Sequence, residues 1–267
     1  MGFLKVEILT CADGLELAEK AAQLVVSTAV AAVRDRGCFH FCLAGGRTPV
    51  RLYQRLAEWS GPESMPWERT EIFWGDERAV PRDHPDSNYA MAFEGLLKKI
   101  SLAPQQIHAM PGTAVPLGRG AEDYEKTLRR FFRTPEVRTF DLIVLGLGTD
   151  GHTASLFPGS LALEETERMV LAVAAPDGVS PATDRLTLTL PAINASGVAV
   201  FLAAGREKQQ VVREIFGGED RRRLPAGRVK ARERTVWLLD QGVVGGMFEN
   251  EKVVPAASDA VPGTCQP

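Results

Sequence analysis

The stretch that decides the fold is Phe39-His40-Phe41-Cys42-Leu43-Ala44-Gly45-Gly46-Arg47-Thr48-Pro49. Its first six residues form a short, mostly apolar run that is typical of a buried β-strand, and the two glycines end that run. Thr48 followed by Pro49 is typical of a helix start, with Thr48 as the N-cap and Pro49 as the first helical residue. The stretch therefore predicts a buried strand, a tight glycine turn and a helix that begins beside the turn.

The same order of strand, turn and helix recurs on both sides of this stretch. Before it, the strand-like run 3–9 leads to Asp13 and Glu16, a capping-box signature, and apolar residues then recur at helical spacing to about Arg36. After it, the sequence predicts strands at 70–74, 107–110, 140–145, 169–175, 185–190, 198–203 and 235–239, and helices at 88–100, 121–132 and 207–216. This alternation favours an α/β fold, with a mostly parallel sheet flanked by helices on both faces.

Length and composition indicate a single domain. The chain has 267 residues, and no linker long enough to separate two domains interrupts it. We expect one domain over residues 1–248, with a small additional strand-containing insertion. Residues 249–267 are rich in Ala, Pro and Val with little periodicity, which predicts a loosely structured C-terminal tail.

Charge and cysteine content exclude several classes of protein. The formal net charge is only −3, and the basic residues are scattered apart from Arg221-Arg222-Arg223, so we expect no nucleic-acid partner. Nowhere do about 18 apolar residues run together, so we expect no membrane partner. The first ten residues lack a signal-peptide pattern, and the four cysteines lack paired spacing, which predicts a cytoplasmic protein with reduced thiols. A monomer or a small homo-oligomer fits this composition.

Four polar sequences follow predicted strands, where ligands bind in open α/β sheets. They are residues 45–49, 75–78, 146–152 and 205–208. The first is a candidate phosphate site, because glycines allow close backbone approach and a helix N-terminus favours an anion. A plain tight turn with a good helix cap explains the same residues equally well. No Lys-Ser or Lys-Thr closes the turn, so it is not a Walker loop.

The third polar sequence, Gly146-Leu147-Gly148-Thr149-Asp150-Gly151-His152, allows two interpretations. It matches the dinucleotide pattern G-x-G-x-x-G after a strand, but Pro158-Gly159 follows too soon for the long helix of that fold. His152 is well placed to act as a general base, with Asp150 orienting it. The alternatives are a loop histidine bonded to the backbone and an aspartate that only suits the turn.

Other catalytic classes find no support in the sequence. No G-x-S-x-G motif surrounds a serine and no cysteine lies in a nucleophile setting, so water is the better nucleophile. No H-E-x-x-H or comparable ligand spacing occurs, so we expect no metal.

Three motifs resemble those of the 6-phosphogluconolactonases. They are residues 43–49 (LAGGRTP), residues 74–81 (WGDERAVP) with Ser87-Asn88, and residues 146–159 (GLGTDGHTASLFPG). Residues 185–189 and the turn 205–208 are similar to later motifs of that family. The resemblance spans roughly residues 3 to 240, in order, and the third motif is the most specific.

The resemblance implies a modified Rossmann-like sheet shared with the glucosamine-6-phosphate deaminases. It also implies hydrolysis of 6-phospho-D-glucono-1,5-lactone to 6-phospho-D-gluconate, the second step of the oxidative pentose phosphate pathway, with no cofactor. His152 would activate water without a covalent intermediate and Asp150 would assist it, while backbone N–H groups of the glycine-rich turn would stabilise the oxyanion. The expected substrate-binding residues are Gly45, Gly46, Arg47, Thr48, Asp76, Arg78, Ser87, Asn88, Gly148, Gly151, Arg185 and Lys208. Of these, Arg78 and Lys208 are expected around the phosphate, and Arg47 stands where serine is frequent in the family.

Three rival functions stay open at this point. The sibling deaminases also have a glycine turn and an Asp-Gly-His run, but they place an aromatic residue where Arg78 stands and follow the histidine with a different sequence. A nicotinamide-dependent oxidoreductase would use the G-x-G-x-x-G match. A non-catalytic phosphosugar-binding protein would keep the fold without the reaction.

Overall fold

The computed structural model of the protein describes residues 5–132, 138–217, 223–245 and 247. The predicted tail at 249–267 lies outside the described residues, as do Arg221 and Arg222. Within the described ranges the chain forms two sheets, of seven and of three strands.

The large sheet is entirely parallel in the part of the chain that the structure describes. Its strands, in spatial order, are β1 (Lys5–Cys11), β10 (Arg234–Asp240), β9 (Val198–Ala203), β6 (Leu142–Gly146), β2 (Phe39–Leu43), β3 (Thr70–Trp74) and β5 (Ile107–His108). The four central strands β9, β6, β2 and β3 are almost wholly buried, which explains why they read as continuous apolar runs. The α/β class and the mostly parallel sheet are therefore confirmed.

The small sheet confirms the predicted strand-containing insertion. It is antiparallel and consists of β4 (Asp76–Arg78), β8 (Arg185–Leu188) and β7 (Val170–Val173). Gly75 alone separates β4 from β3, so one polar sequence leaves the large sheet and enters the small one. The small sheet thereby brings residues of β4 and β8 beside the carboxyl ends of the central strands.

Helices connect the strands of both sheets. They are α1 (Gly14–Arg36), α2 (Arg47–Ala57), α3 (Asn88–Gly95), α4 (Leu117–Phe131), α5 (Leu190–Asn194), α6 (Gln209–Gly217) and α7 (Gln241–Val244). The predicted start of α1 is confirmed, since Asp13 accepts the N–H groups of Leu15 and Glu16 at 2.8 and 2.9 Å. Gly37, with φ +81°, ends this helix as a left-handed C-cap.

Some predicted boundaries are wrong by up to five residues. The helix predicted at 88–100 ends at Gly95 and a 3₁₀ turn at 97–99 follows it, while α4 starts four residues before position 121. The strand predicted at 107–110 has only two residues. The prediction that Thr48 caps α2 is also wrong, because the helix already begins at Arg47 and Gly46 is its N-cap.

The order of the strands places a switch point in the centre of the large sheet. From β2 the chain proceeds through β3 to β5 on one side, and from β6 it proceeds through β9 to β10 on the other. Ligands of open α/β sheets bind outside the carboxyl ends of the strands at such a reversal. The fold therefore predicts a ligand site at the carboxyl ends of β2 and β6.

Candidate active site

A pocket of about 160 Å³ lies at this switch point. It is lined by the turn after β2, by residues of β4 and β8, by the end of β6 and the loop after it, and by Lys208 beyond β9. Nine predicted site residues line it, namely Gly45, Gly46, Arg47, Thr48, Asp76, Arg78, His152, Arg185 and Lys208. Asp150, Ser87, Asn88, Gly148 and Gly151 are not among the lining residues. Asp150 and Gly148 hydrogen-bond to His152, and Asn88 hydrogen-bonds to Asp76.

The glycine turn leaves the N-terminus of α2 open to the pocket. Gly46 has φ +91° and offers no side-chain acceptor, so the first N–H groups of α2 have neither a side-chain cap nor an intrahelical acceptor. Such N–H groups, together with the helix dipole, favour an anion. A Cβ at Gly45 would lie 2.0 Å from Asn88 Oδ1, so only glycine fits between the pocket and α3.

Four cationic side chains line the pocket together with the carboxylate of Asp76. Among the described residues, none of Arg47, Arg78, Arg185 and Lys208 forms an ion pair, and the Nε atoms of Arg78 and Arg185 are buried without a hydrogen-bond partner. Burial lowers the pKa of Lys208, and nearby Arg47 lowers it further against the opposing effect of Glu207. Arg185 is buried, Arg78 and Lys208 are half-buried and Arg47 is exposed. Because a buried charge is normally paired, the excess of cations over the Asp76 carboxylate favours an anionic ligand.

The two arginines of the small sheet are held as a pair of like charges. Arg78 and Arg185 are direct partners across β4 and β8. Their guanidinium groups donate to the Asp86 carbonyl at 2.7 Å and to the Pro181 carbonyl at 2.8 Å, respectively. Burial lowers the pKa of Arg185, and the neighbouring charge of Arg78 adds to this effect. Like charges directly opposite each other destabilise a sheet, and a bound anion would relieve that cost.

His152 and Asp150 form a hydrogen-bonded pair at the mouth of the pocket. His152 Nδ1 lies 2.6 Å from Asp150 Oδ1, and its ring lies 4.8 Å from that of Phe157. Burial raises the pKa of Asp150, but its hydrogen bonds with His152 outweigh that effect and leave the pKa below the usual value. Because Nδ1 faces the carboxylate, the pair leaves Nε2 as the nitrogen for proton transfer.

The glycine-rich turn shapes this pair. A Cβ at Gly148 would lie 2.1 Å from His152 Nδ1, and Gly151 has φ +85°. The Gly148 N–H donates to the His152 carbonyl at 2.9 Å and the Gly151 N–H donates to the Gly148 carbonyl at 3.1 Å. These two N–H groups therefore already have acceptors, and the expectation that backbone N–H groups of the turn stabilise an oxyanion stays a prediction for its other residues. No helix opens at Gly151, unlike the dinucleotide fold.

Ser87 and Asn88 support the site from behind. Glu77 accepts the backbone N–H groups of Asn88 and Tyr89 and the hydroxyl of Ser87, while Asn88 Nδ2 donates to the Asp76 carboxylate at 2.9 Å. Burial raises the pKa of Glu77 against these hydrogen bonds. The sequence motif WGDERAVP contains Glu77, but its role depends on contacts that only the fold shows.

Sequence reasoning also missed the segment after His152. Ala154, Ser155 and Phe157 line the pocket, and Ala154 has φ +49°. The motif GLGTDGHTASLFPG contains all three, so the motif itself was the available signal.

Neither metal-binding clusters nor membrane spans occur in the described parts of the chain. Among those residues no group of three or more His, Cys, Asp or Glu side chains is placed to hold a metal ion. Cys11, Cys38 and Cys42 are free thiols, and Cys265 lies outside the described residues. Within the same ranges, no helix has both the length and the apolar character to cross a membrane.

Comparison with known proteins identifies the family. The family model described as glucosamine-6-phosphate isomerases/6-phosphogluconolactonase matches residues 12–237. The chain is 42% identical over 228 residues to a 6-phosphogluconolactonase of Synechocystis sp., covering 84% of this chain and 91% of that protein. It is 36% identical to the 6-phosphogluconolactonase of Bos taurus, covering 85% of this chain and 88% of the relative.

A solved structure agrees with these sequence matches. The 6-phosphogluconolactonase of Thermotoga maritima superposes with a TM-score of 0.76 at 30% identity, covering 88% of this chain and all of that one. Family model, relatives and fold therefore agree that the chain belongs to the glucosamine-6-phosphate isomerase/6-phosphogluconolactonase family, and within it to the 6-phosphogluconolactonases.

Proposed function

We propose that the protein hydrolyses 6-phospho-D-glucono-1,5-lactone to 6-phospho-D-gluconate in the oxidative pentose phosphate pathway. The observation that carries this proposal is one pocket that combines a His–Asp pair with four unpaired cations. The cations suit a phosphate, and the histidine suits a base for attack by water. The names of the relatives support the same substrate.

In the proposed reaction His152 acts as a general base. Its Nε2 takes a proton from water as the water oxygen attacks C1 of the lactone, and the same proton passes to the ring oxygen when the C1–O bond breaks. Asp150 fixes the tautomer that leaves Nε2 unprotonated and stabilises the imidazolium that forms. Neither a covalent intermediate nor a cofactor is required.

We assign the phosphate and the oxyanion to the cationic wall of the pocket, which consists of Arg47, Arg78, Arg185 and Lys208. Arg47, Lys208 and the open N-terminus of α2 suit a phosphate, with Arg78 and Arg185 completing the positive field. Because the N–H groups of Gly148 and Gly151 already have acceptors, we assign the charge on the carbonyl oxygen to this field. Phosphate binding also fixes the ring against His152, which converts remote binding energy into orientation.

A coupled assay tests substrate and base together. Formation of 6-phosphogluconate is followed with a dehydrogenase specific for it, and the uncatalysed opening of the lactone is subtracted. We expect His152→Ala to lower kcat by about 10² to 10⁴ with little change in KM, the usual range for a lost general base. Full turnover by this variant would refute the role of His152.

Two controls separate base catalysis from phosphate binding. His84→Ala removes an exposed histidine outside the pocket and should leave kcat unchanged. Lys208→Ala should raise KM for the phosphorylated lactone and leave the slow hydrolysis of glucono-1,5-lactone no worse, whereas Arg78→Ala should slow the hydrolysis of both lactones because Arg78 also contributes to the field at the carbonyl oxygen. Ammonia release from glucosamine 6-phosphate, or tight binding of NAD(P), would favour the rival functions instead.

A further inference from the structure

One polar wall of the pocket differs from the rest in its hydrogen-bonding character. Most polar groups that face the pocket are donors, since arginine, lysine and the N-terminus of a helix carry no acceptor. Ser155 and Asp76 differ from these donors and lie together on the pocket wall, 1% and 7% exposed. The established family match does not explain why an acidic group is buried among four cations.

The proton of Ser155 is committed to Asp76. Ser155 Oγ donates to Asp76 Oδ2 at 2.6 Å, a charge-assisted hydrogen bond of short length. Asp76 Oδ1 in turn accepts from Asn88 Nδ2 at 2.9 Å, which fixes the carboxylate from the other side. With its only hydrogen directed at Asp76, Ser155 Oγ has acceptor lone pairs alone to offer a ligand.

The backbone holds Ser155 in this position. Ala154 and Ser155 form the corner between the bridged residues Thr153 and Leu156, and Ala154 takes the left-handed φ of +49°. The Ser155 N–H donates to Thr187 Oγ1 at 3.1 Å, and Thr153 Oγ1 donates to the Gly146 carbonyl at 2.8 Å. A strained residue that is tethered on both sides is typical of a functional position.

We propose that Ser155, oriented by Asp76, accepts a hydrogen bond from a ring hydroxyl of the bound sugar and thereby sets specificity for a hydroxylated ring. The inference rests on the proposed function for the identity of the ring. A phosphate dianion or a carbonyl oxygen has no hydrogen to donate, so neither can hydrogen-bond to Ser155 Oγ. The ring hydroxyls are the groups of the substrate that can. Ring hydroxyls thus face acceptors, and the anionic group faces donors.

The test compares the full lactone with its deoxy analogues. Lactones made from glucose 6-phosphate and from its 2-, 3- and 4-deoxy forms are assayed by proton release with wild type and Ser155→Ala. We expect wild type to hydrolyse at least one deoxy lactone with kcat/KM roughly tenfold or more below the full lactone, the effect of losing a hydrogen bond in a charged network. Ser155→Ala should lower kcat/KM for the full lactone by a similar factor and leave that deoxy lactone unchanged.

A matched variant controls for structural damage. Ser196→Ala also deletes a buried serine hydroxyl, one that bonds the Ile193 carbonyl far from the pocket lining. It should reproduce any loss of thermal stability without changing the ratio between the full and deoxy lactones. If Ser155→Ala lowers kcat/KM equally for every lactone, or for none, Ser155 does not read a hydroxyl.

A binding experiment keeps this inference separate from the proposed reaction. The analogue 1,5-anhydroglucitol 6-phosphate keeps the ring, the hydroxyls and the phosphate but has no carbonyl to hydrolyse. Calorimetric titration of this compound and its deoxy forms should show the same loss of discrimination, about tenfold in Kd, in Ser155→Ala. Discrimination in binding without lactone hydrolysis would refute the proposed reaction alone, and binding without discrimination would refute the hydroxyl contact.

Discussion

Replacement of Asp150 by asparagine should slow the chemical step without weakening substrate binding. Asp150 contacts His152 twice, through Nδ1 at 2.6 Å and through the backbone N–H at 3.1 Å, and it is not among the residues that line the pocket. The asparagine keeps the shape and loses the charge. It can also present an N–H to Nδ1, which would place the histidine proton on Nε2, where the base must be free.

The structure bounds the size of this effect. A hydrogen bond to a charged group contributes about 1.5 to 3 kcal/mol, and the His152 and Asp150 side chains are 31% and 44% exposed, so solvent weakens their attraction. The weakened charge effect and the wrong tautomer together should raise the activation free energy by about 1.4 to 2.7 kcal/mol. This rise corresponds to a loss of roughly 10- to 100-fold in kcat. KM should change less than about twofold, since the cationic wall is untouched.

A double-mutant cycle in the coupled assay decides whether Asp150 acts through His152. Asp150→Asn is measured alone and on a His152→Ala background. If the carboxylate serves only the imidazole, the second substitution costs almost nothing once the histidine is absent. An undiminished kcat in the single variant, or a full 10-fold loss on the alanine background, would refute the reasoning.

Three further changes should have separable effects. Gly148→Ala places a Cβ 2.1 Å from His152 Nδ1, so it should displace the ring and lower kcat by about 10² in the coupled assay, with KM nearly unchanged. Asp240→Asn weakens the acceptor that holds the Gly205 N–H at 3.2 Å, before the turn to Lys208, so KM for the phosphorylated lactone should rise about 3- to 10-fold while glucono-1,5-lactone is unaffected. Burial lowers the pKa of His40 below 6.5, so the unfolded chain binds a proton at this histidine more readily than the folded chain. Burying the neutral ring therefore costs no stability above about pH 6.5, and the free energy of unfolding decreases as the pH falls below that value. The Tm of wild type should therefore fall more than that of His40→Asn between about pH 7.5 and 5.5, and equal falls would contradict this assignment.

The elements that sequence predicts well are those that burial alone dictates. The central strands are covered on both faces, so they must be apolar along their whole length. A continuous apolar run such as 198–203 can therefore be identified as a strand from sequence. The start of α1 is equally local, because Asp13 bonds to groups two and three residues away. Such features can be predicted without knowing the contacts between residues that are distant in sequence.

The elements that sequence misses depend on distant partners. Asp76–Arg78 becomes a strand because Arg185–Thr187 pairs with it, more than a hundred positions later. Ser155 can act only as a hydrogen-bond acceptor toward a ligand because its hydroxyl donates to Asp76, which is 79 residues away in sequence. Thr48 has the right chemistry for a cap, yet Gly46 is the N-cap and the helix starts two residues earlier than a cap at Thr48 would allow.

The four unpaired cations of the pocket make stability and occupancy inseparable. None of them forms an ion pair among the described residues, and together they exceed the charge of the Asp76 carboxylate beside them. An anion that binds only the folded chain adds RT ln(1 + [L]/Kd) to the free energy of unfolding. At a ligand concentration of 100 Kd this amounts to about 2.7 kcal/mol, a large fraction of the stability of an ordinary domain. Anion binding at this pocket would thus protect the chain from proteolysis, because cleavage acts on the unfolded chain.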